Sequence, residues 1–168
     1  DANEIGAAFT VMTWIRPNGA NTLGTERTIL AKKPNATSGY RLMLQINNKV
    51  RMEWSVGGTT YSAISNTTLP DLMWHNIAVT YGAGTLRMYI DGVLDRTSAI
   101  AVAPVATVGS SFSIGAQYIN KTTINNLFKG DIDELRMWNR LLSATEIRFI
   151  MNQEISQTGT GTRGAILP

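Results

Sequence analysis

The sequence predicts an all-β protein, two antiparallel sheets packed face to face as a sandwich with a jelly-roll layout. Three observations predict it. Short runs in which apolar and polar residues alternate recur along the chain, clusters of Gly, Asn, Pro and Ser interrupt them, and helical periodicity is nearly absent. A chain of 168 residues suits one domain. At that size about two thirds of the unfolded surface is buried, so residues 1–168 are read as a single unit, a module of a larger protein.

The strands follow in order. "FTVMTWIRP" (9–17) is apolar on both faces, with Phe9, Val11 and Ile15 on one and Met12 and Trp14 on the other, which suits a central strand. "RTILAKK" (27–33) and "YRLMLQI" (40–46) come next, and Tyr40, Leu42, Leu44 and Ile46 share a face. "KVRMEWSV" (49–56) alternates most cleanly, turning Val50, Met52, Trp54 and Val56 one way. Asn47 and Asn48 between these two runs suit a hairpin, because Asn tolerates positive φ. "WHNIAVTY" (74–81) and "TLRMYID" (85–91) pair across "GAG", and Asp91-Gly92 turns the chain into "VLDRT" (93–97). "SSFSIG" (110–115) and "LFKGDIDELRMW" (127–138) complete the set. One short helix is expected after Leu142. Ser143 is its N-cap, Glu146 stands at capping-box spacing, and Leu142 and Ile147 form a hydrophobic staple. Ile147, Ile150 and Met151 share the face that docks on the sandwich. The tail "TGTGTRGAILP" (158–168) is a linker or a final extended segment.

Composition excludes several functions. No cysteine means no disulfide, no thiolate zinc site and no cysteine nucleophile. No run of about 18 apolar residues occurs, so no membrane insertion is expected. Fifteen basic and twelve acidic residues give a net charge of +3, but the cations are scattered singly, without the interleaved aromatics of a nucleic-acid surface. His75 is the one histidine, and no Gly-x-Ser-x-Gly elbow accompanies it. It is read as packed and hydrogen-bonded.

The chemistry concentrates at Asp131, Asp133 and Glu134. Strand alternation puts Asp131, Asp133, Leu135 and Met137 on one face and Ile132, Glu134, Arg136 and Trp138 on the other. Asp131 and Asp133 then lie about 7 Å apart and repel unless a cation or hydrogen-bond donors sit with them. Calcium, which takes six to eight oxygens, is one answer, making Asp133 and Asp131 metal ligands. The other is polar trim, with Asp133 capping backbone amides or pairing with Arg136 or Lys129. A glycoside hydrolase needs two carboxylates about 5–9 Å apart in a cleft, and Glu53 has no acidic neighbour in sequence, so no catalytic residue is assigned.

Sugars lie on exposed rings while amides and charged groups fix their hydroxyls. Trp14, Trp54, Trp74 and Trp138 stand in strands and are read as core. Tyr61 and Tyr118 sit in polar stretches and are the ring candidates, with Gln117 and Asn120 as hydroxyl-binding amides. The stretch 117–126 is either a recognition loop or a solvated connection, and 16–27 is a second such loop. Asn-x-Thr sequons at Asn35, Asn66 and Asn120 mark surface loops.

"LMWHNIAVTYGAGTLRMYIDGVLDRT" (72–97) resembles the central hairpins of laminin-G-like jelly-roll domains of the concanavalin A-like lectin/glucanase superfamily. "FKGDIDELRMWNRLLSATEI" (128–147) resembles their C-terminal signature, and "FTVMTWIRP" their early strand; together the match runs from about residue 9 to 152. The resemblance implies a sandwich of two curved sheets, and a structural Ca2+ ligated by the residue matching Asp133. It implies a non-catalytic binding module, secreted or at the cell surface, whose partner is a glycan or a cell-surface protein. The alternative is a structural spacer or protein-interaction domain beside a catalytic or adhesive neighbour; a hydrolase is less favoured. Such domains open with a further strand. Its absence here would leave an open sheet edge, inviting strand exchange or dimerisation.

Overall fold

A computed structural model describes residues 4–18, 24–107, 109–119 and 123–153. Among them two five-stranded antiparallel sheets form the predicted sandwich. The first holds β12 (Gly130–Trp138), β1 (Ala8–Pro17), β6 (His75–Gly82), β7 (Thr85–Ile90) and β8 (Val93–Ala99), in that spatial order. The second holds β5 (Thr59–Thr68), β4 (Lys49–Val56), β3 (Gly39–Leu44), β2 (Arg27–Lys32) and β9 (Ser113–Ile114). A hairpin of β10 (Gln117–Ile119) and β11 (Thr123–Asn125) and one helix, α1 (Ala144–Ile150), complete the described chain. No helix is long and apolar enough to cross a membrane.

The core is built from the inward face of each alternating run. Phe9, Val11 and Ile15 of β1 meet Leu42, Leu44, Met52 and Trp54 of the second sheet, all at most 1% exposed. Trp54 is its largest side chain: its ring lies 5.0 Å from Tyr81 and 6.4 Å from Phe9, and its Nε1–H donates to the Val102 carbonyl at 2.9 Å. The turns take the residues expected of them. Asn48 adopts φ 59°, and Asp91 and Gly92 adopt φ 51° and 74°.

Two elements differ from expectation. β5 was not anticipated, because "TTYSAISNTT" is polar nearly throughout; only Ala63 and Ser65 are buried, as befits an edge strand wetted on one face. Residues 117–126 do not form one long loop, since β10 and β11 pair as a hairpin within them. Asn66, read as a loop marker, lies within β5. The predicted tail (158–168) lies outside the described residues.

No strand precedes β1 among the described residues. Instead Ile5 is buried in the core, and the Glu4 carboxylate takes the Lys32 ammonium at 2.6 Å and the Thr107 amide at 2.9 Å. Burial alone would raise the Glu4 carboxyl, but Lys32 and the Thr107 amide outweigh it and hold it below its ordinary value. This segment plugs one end of the sandwich, and β12 remains an edge of the first sheet.

Candidate functional site

The site lies on the outer face of the first sheet and follows from strand register. Trp14 stands opposite Asn76 on β6 and Asp133 on β12, so all three project from the same face. One rung further, Arg16 stands opposite Asp131, and the Arg16 guanidinium lies over the Trp74 ring, 5.5 Å from its centroid. In the other direction Met12 faces Ala78 and Arg136. There α1 covers the sheet: Ile147 and Ile150 form a small second core with Met12, Ala78, Tyr89 and Leu142.

The helix therefore covers part of the face and leaves the rungs of Trp14 and Arg16 beside it. Trp14, Trp74, Asp133, Glu134, Met151, Asn152 and Gln153 line the groove that remains, with a volume of about 480 Å³. Trp14 is half-buried and donates through Nε1–H to the Met151 carbonyl at 2.9 Å, tying the sheet to the helix end. Trp74 keeps 42% of its surface exposed. It is carried by the connection before β6, where Leu72 holds φ 65° and donates its amide to the Pro17 carbonyl at 2.7 Å.

The acids of β12 sit here because of a bulge. Between the Met12–Arg136 and Trp14–Asp133 pairs, Glu134 and Leu135 together oppose Thr13. Glu134 adopts φ 50°, and the Thr13 hydroxyl donates to the Asp133 carbonyl at 2.9 Å. This corrects the alternation expected from sequence. Ile132, Leu135 and Met137 all pack toward the main core, whereas Trp138 packs beside the helix. Asp133 and Glu134, expected on opposite faces, both line the groove.

Each acid has a local partner. Asp131 pairs with Arg16 at 2.8 Å, Glu134 pairs with Arg136 at 2.6 Å, and Asp133 accepts its neighbour's amide, Glu134 N–H, at 2.8 Å. Arg136 also donates to the Ile150 carbonyl at 2.9 Å and to that of Gln153. Asp133 caps a backbone amide, the first of the two polar-trim arrangements read from the sequence, and the cation beside Asp131 is Arg16. No group of three or more His, Asp or Glu converges among the described residues. With Asp131 and Glu134 engaged by arginines, this donor set does not fit a calcium ion, which needs six or more oxygens.

The other predicted site residues are dispersed. Tyr61 shares the face of Trp54 across β4–β5 and is half-buried against the core. Tyr118 is 38% exposed on β10, beside Ile124. Tyr61 stands at one edge of the second sheet, while β10 lies beside β2 and β9 at the other. Gln117 is buried and does not face solvent: its Oε1 accepts from Arg41 at 2.9 Å and from Asn126 at 3.4 Å. Arg41 in turn pairs with Glu26 at 2.8 Å and Glu53 at 3.2 Å, so this network fastens the hairpin to the second sheet. Asn120 lies outside the described residues. His75 is buried with Nδ1 2.9 Å from Asp91 Oδ2, bracing the Asp91-Gly92 turn. Sequence reasoning passed over Trp14 and Trp74 because a strand tryptophan looks alike whether a helix covers it or not. The available signal was the polar "PD" shortly before Trp74 and the "RP" shortly after Trp14, both marking a sheet end.

Residues 2–148 match the profile of the family described as the concanavalin A-like lectin/glucanases superfamily. A search of curated proteins returns no match. Among solved structures the chain is similar to domain 4 of a GH43 extracellular arabinanase from Geobacillus stearothermophilus in complex with arabinotriose. That likeness has a TM-score of 0.71 and 20% identity, over 89% of this chain and 69% of that one. It is similar also to the CBM40 of a Ruminococcus gnavus IT-sialidase bound to α2,3-sialyllactose, with a TM-score of 0.71 and 15% identity over 87% and 83%. A third is a heptameric pentraxin from Limulus polyphemus, with a TM-score of 0.64 and 14% identity over 96% and 76%. At these identities the likeness is one of fold.

Proposed function

The chain belongs to the concanavalin A-like lectin/glucanases superfamily, and from that premise we propose that it is a non-catalytic carbohydrate-binding module whose site is the groove between α1 and β12. The observation that carries this reading is the exposed Trp74 ring set beside Trp14, two carboxylates and two amides in one cavity. An aromatic plane takes the C–H face of a sugar, while acids and amides at its rim fix the hydroxyls. Two of the similar structures are named for sugar complexes, which supports the reading without assigning the sugar. A non-catalytic role is supported by the engagement of the groove acids. Glu134 is neutralised by Arg136 and Asp133 hydrogen-bonds its own strand, an arrangement that prepares neither a general acid nor a nucleophile. An extracellular or cell-surface setting within a larger protein belongs to the same proposal.

The test is a glycan array followed by titration of its hits. Trp74→Ala should weaken binding about tenfold or more, as loss of a central aromatic does; binding unchanged by that substitution would remove the groove from consideration. A second reading, docking of a protein partner, is favoured by Leu72 and Met73, which stand 66% and 55% exposed beside Trp74. It predicts that Leu72→Ser with Met73→Ser abolishes binding to a partner protein and leaves sugar binding intact.

A further inference from the structure

We infer that the groove selects neutral glycans and rejects those bearing a carboxylate or sulfate; this rests on the carbohydrate-binding reading above. The chain as a whole is basic, with a net charge of +3. The groove runs against that balance. Asp133 and Glu134 line it, Asp131 stands one rung beyond, and Arg16 and Arg136 are held in ion pairs with Asp131 and Glu134. The excess charge is on Asp133, which is exposed and among the described residues accepts a hydrogen bond from a backbone amide without an ion-pair partner. A carboxylate accepts from sugar hydroxyls but can only repel an anionic substituent, and a groove walled by two tryptophans screens that repulsion less than open water does.

Asn76 supplies an independent observation. It lies between Trp14 and Asp91 on the same outer face and is 1% exposed. Among the described residues neither its amide oxygen nor its amide nitrogen has a hydrogen-bond partner. A buried amide with both functions unmet is a matched partner for a hydroxyl, which donates and accepts together, and gives an anion no charge to pair with. The Arg148 side chain and the Met151 sulfur both lie at this corner, 2.8 and 3.0 Å from where a side chain on Gly92 would begin, so two flexible side chains cover that end of the rung.

The experiment is calorimetric titration at pH 7 with two sets of soluble sugars: xylotriose, arabinotriose, maltotriose and laminaritriose, against 3′-sialyllactose and trigalacturonate. Wild type should bind at least one neutral trisaccharide and bind the acidic sugars at least about tenfold more weakly. Asp133→Asn, which keeps the cap oxygen, and Glu134→Gln should each narrow that gap. If an acidic sugar binds best and Trp74→Ala abolishes it, the groove reading stands and charge selection is overturned. If sugars bind but Trp74→Ala changes nothing, the groove reading falls and this inference with it. No binding of any sugar at millimolar concentration overturns both.

Discussion

Trp54 and Trp74 differ by twenty positions in sequence and by everything in environment. Trp54 is fully buried between Phe9 and Tyr81, whereas Trp74 is 42% exposed and stacked by Arg16. Trp54→Ala should therefore cost about 3–5 kcal/mol and lower the thermal midpoint by roughly 10 °C. Trp74→Ala should leave the midpoint within a few degrees while weakening sugar binding about tenfold or more, and a thermal melt beside a titration separates the two. Sequence alternation identified Trp54 as core correctly, because its neighbours Val50 and Met52 share its face. It could not place Trp74, whose role depends on where a distant helix stops covering the sheet.

At the scale of elements, α1 was legible from its own residues. Ser143 accepts from the Glu146 amide at 3.2 Å, and the Glu146 carboxylate returns to the Ser143 amide at 2.7 Å, closing the expected capping box. The Ser143 amide, with Arg140 and the Ser143 hydroxyl, holds the Glu146 carboxyl down at about 2. Because this folded value lies below the unfolded one, its contribution is present above about pH 4.5 and is lost as pH falls toward 2. An NMR titration of the Glu146 side chain should show that low midpoint, and Ser143→Ala should raise it and cost about 1 kcal/mol of stability. What tethers the helix to the sheet was not legible: the Thr10 hydroxyl donates to the Arg140 carbonyl at 2.7 Å and accepts the Leu142 amide at 2.9 Å, a contact spanning most of the chain. β12 starts under a similar long-range constraint. Gly130 has φ 138°, and a Cβ there would fall 2.2 Å from the Arg16 carbonyl oxygen. Gly130→Ala should destabilise the protein by more than about 1 kcal/mol, visible in a urea melt.

For the whole molecule, the sandwich was legible because each sheet carries one apolar face in clean alternation. The pairing of ends was not, since it rests on charges far apart in sequence. Glu4 closes one end through Lys32, which is 1% exposed. Glu4→Gln takes the carboxylate from a buried ammonium and should cost about 3 kcal/mol or more. With the Glu4 carboxyl depressed, wild type should gain stability above its unfolded value near 4.5 and lose it below, and the variant should show a flatter acid limb in pH-dependent melts. Calcium offers a second test at this scale. As Arg16 and Arg136 already answer the β12 acids, melts with calcium and with EDTA should superimpose; a shift of several degrees would require oxygen ligands beyond those described.

The bulge in β12 has a consequence for how such a site arises. Strike Glu134 from the strand, and Asp131, Ile132, Asp133, Leu135, Arg136, Met137 and Trp138 alternate without interruption, each already on the side it occupies now. The strand thus carries one codon more than its pairing needs, and the surplus residue is the one that gives the groove its second acid. A three-nucleotide insertion or deletion at this point would add or erase this acid while the ladder on either side kept its register, so the charge of the groove can change by one codon without unfolding the sheet.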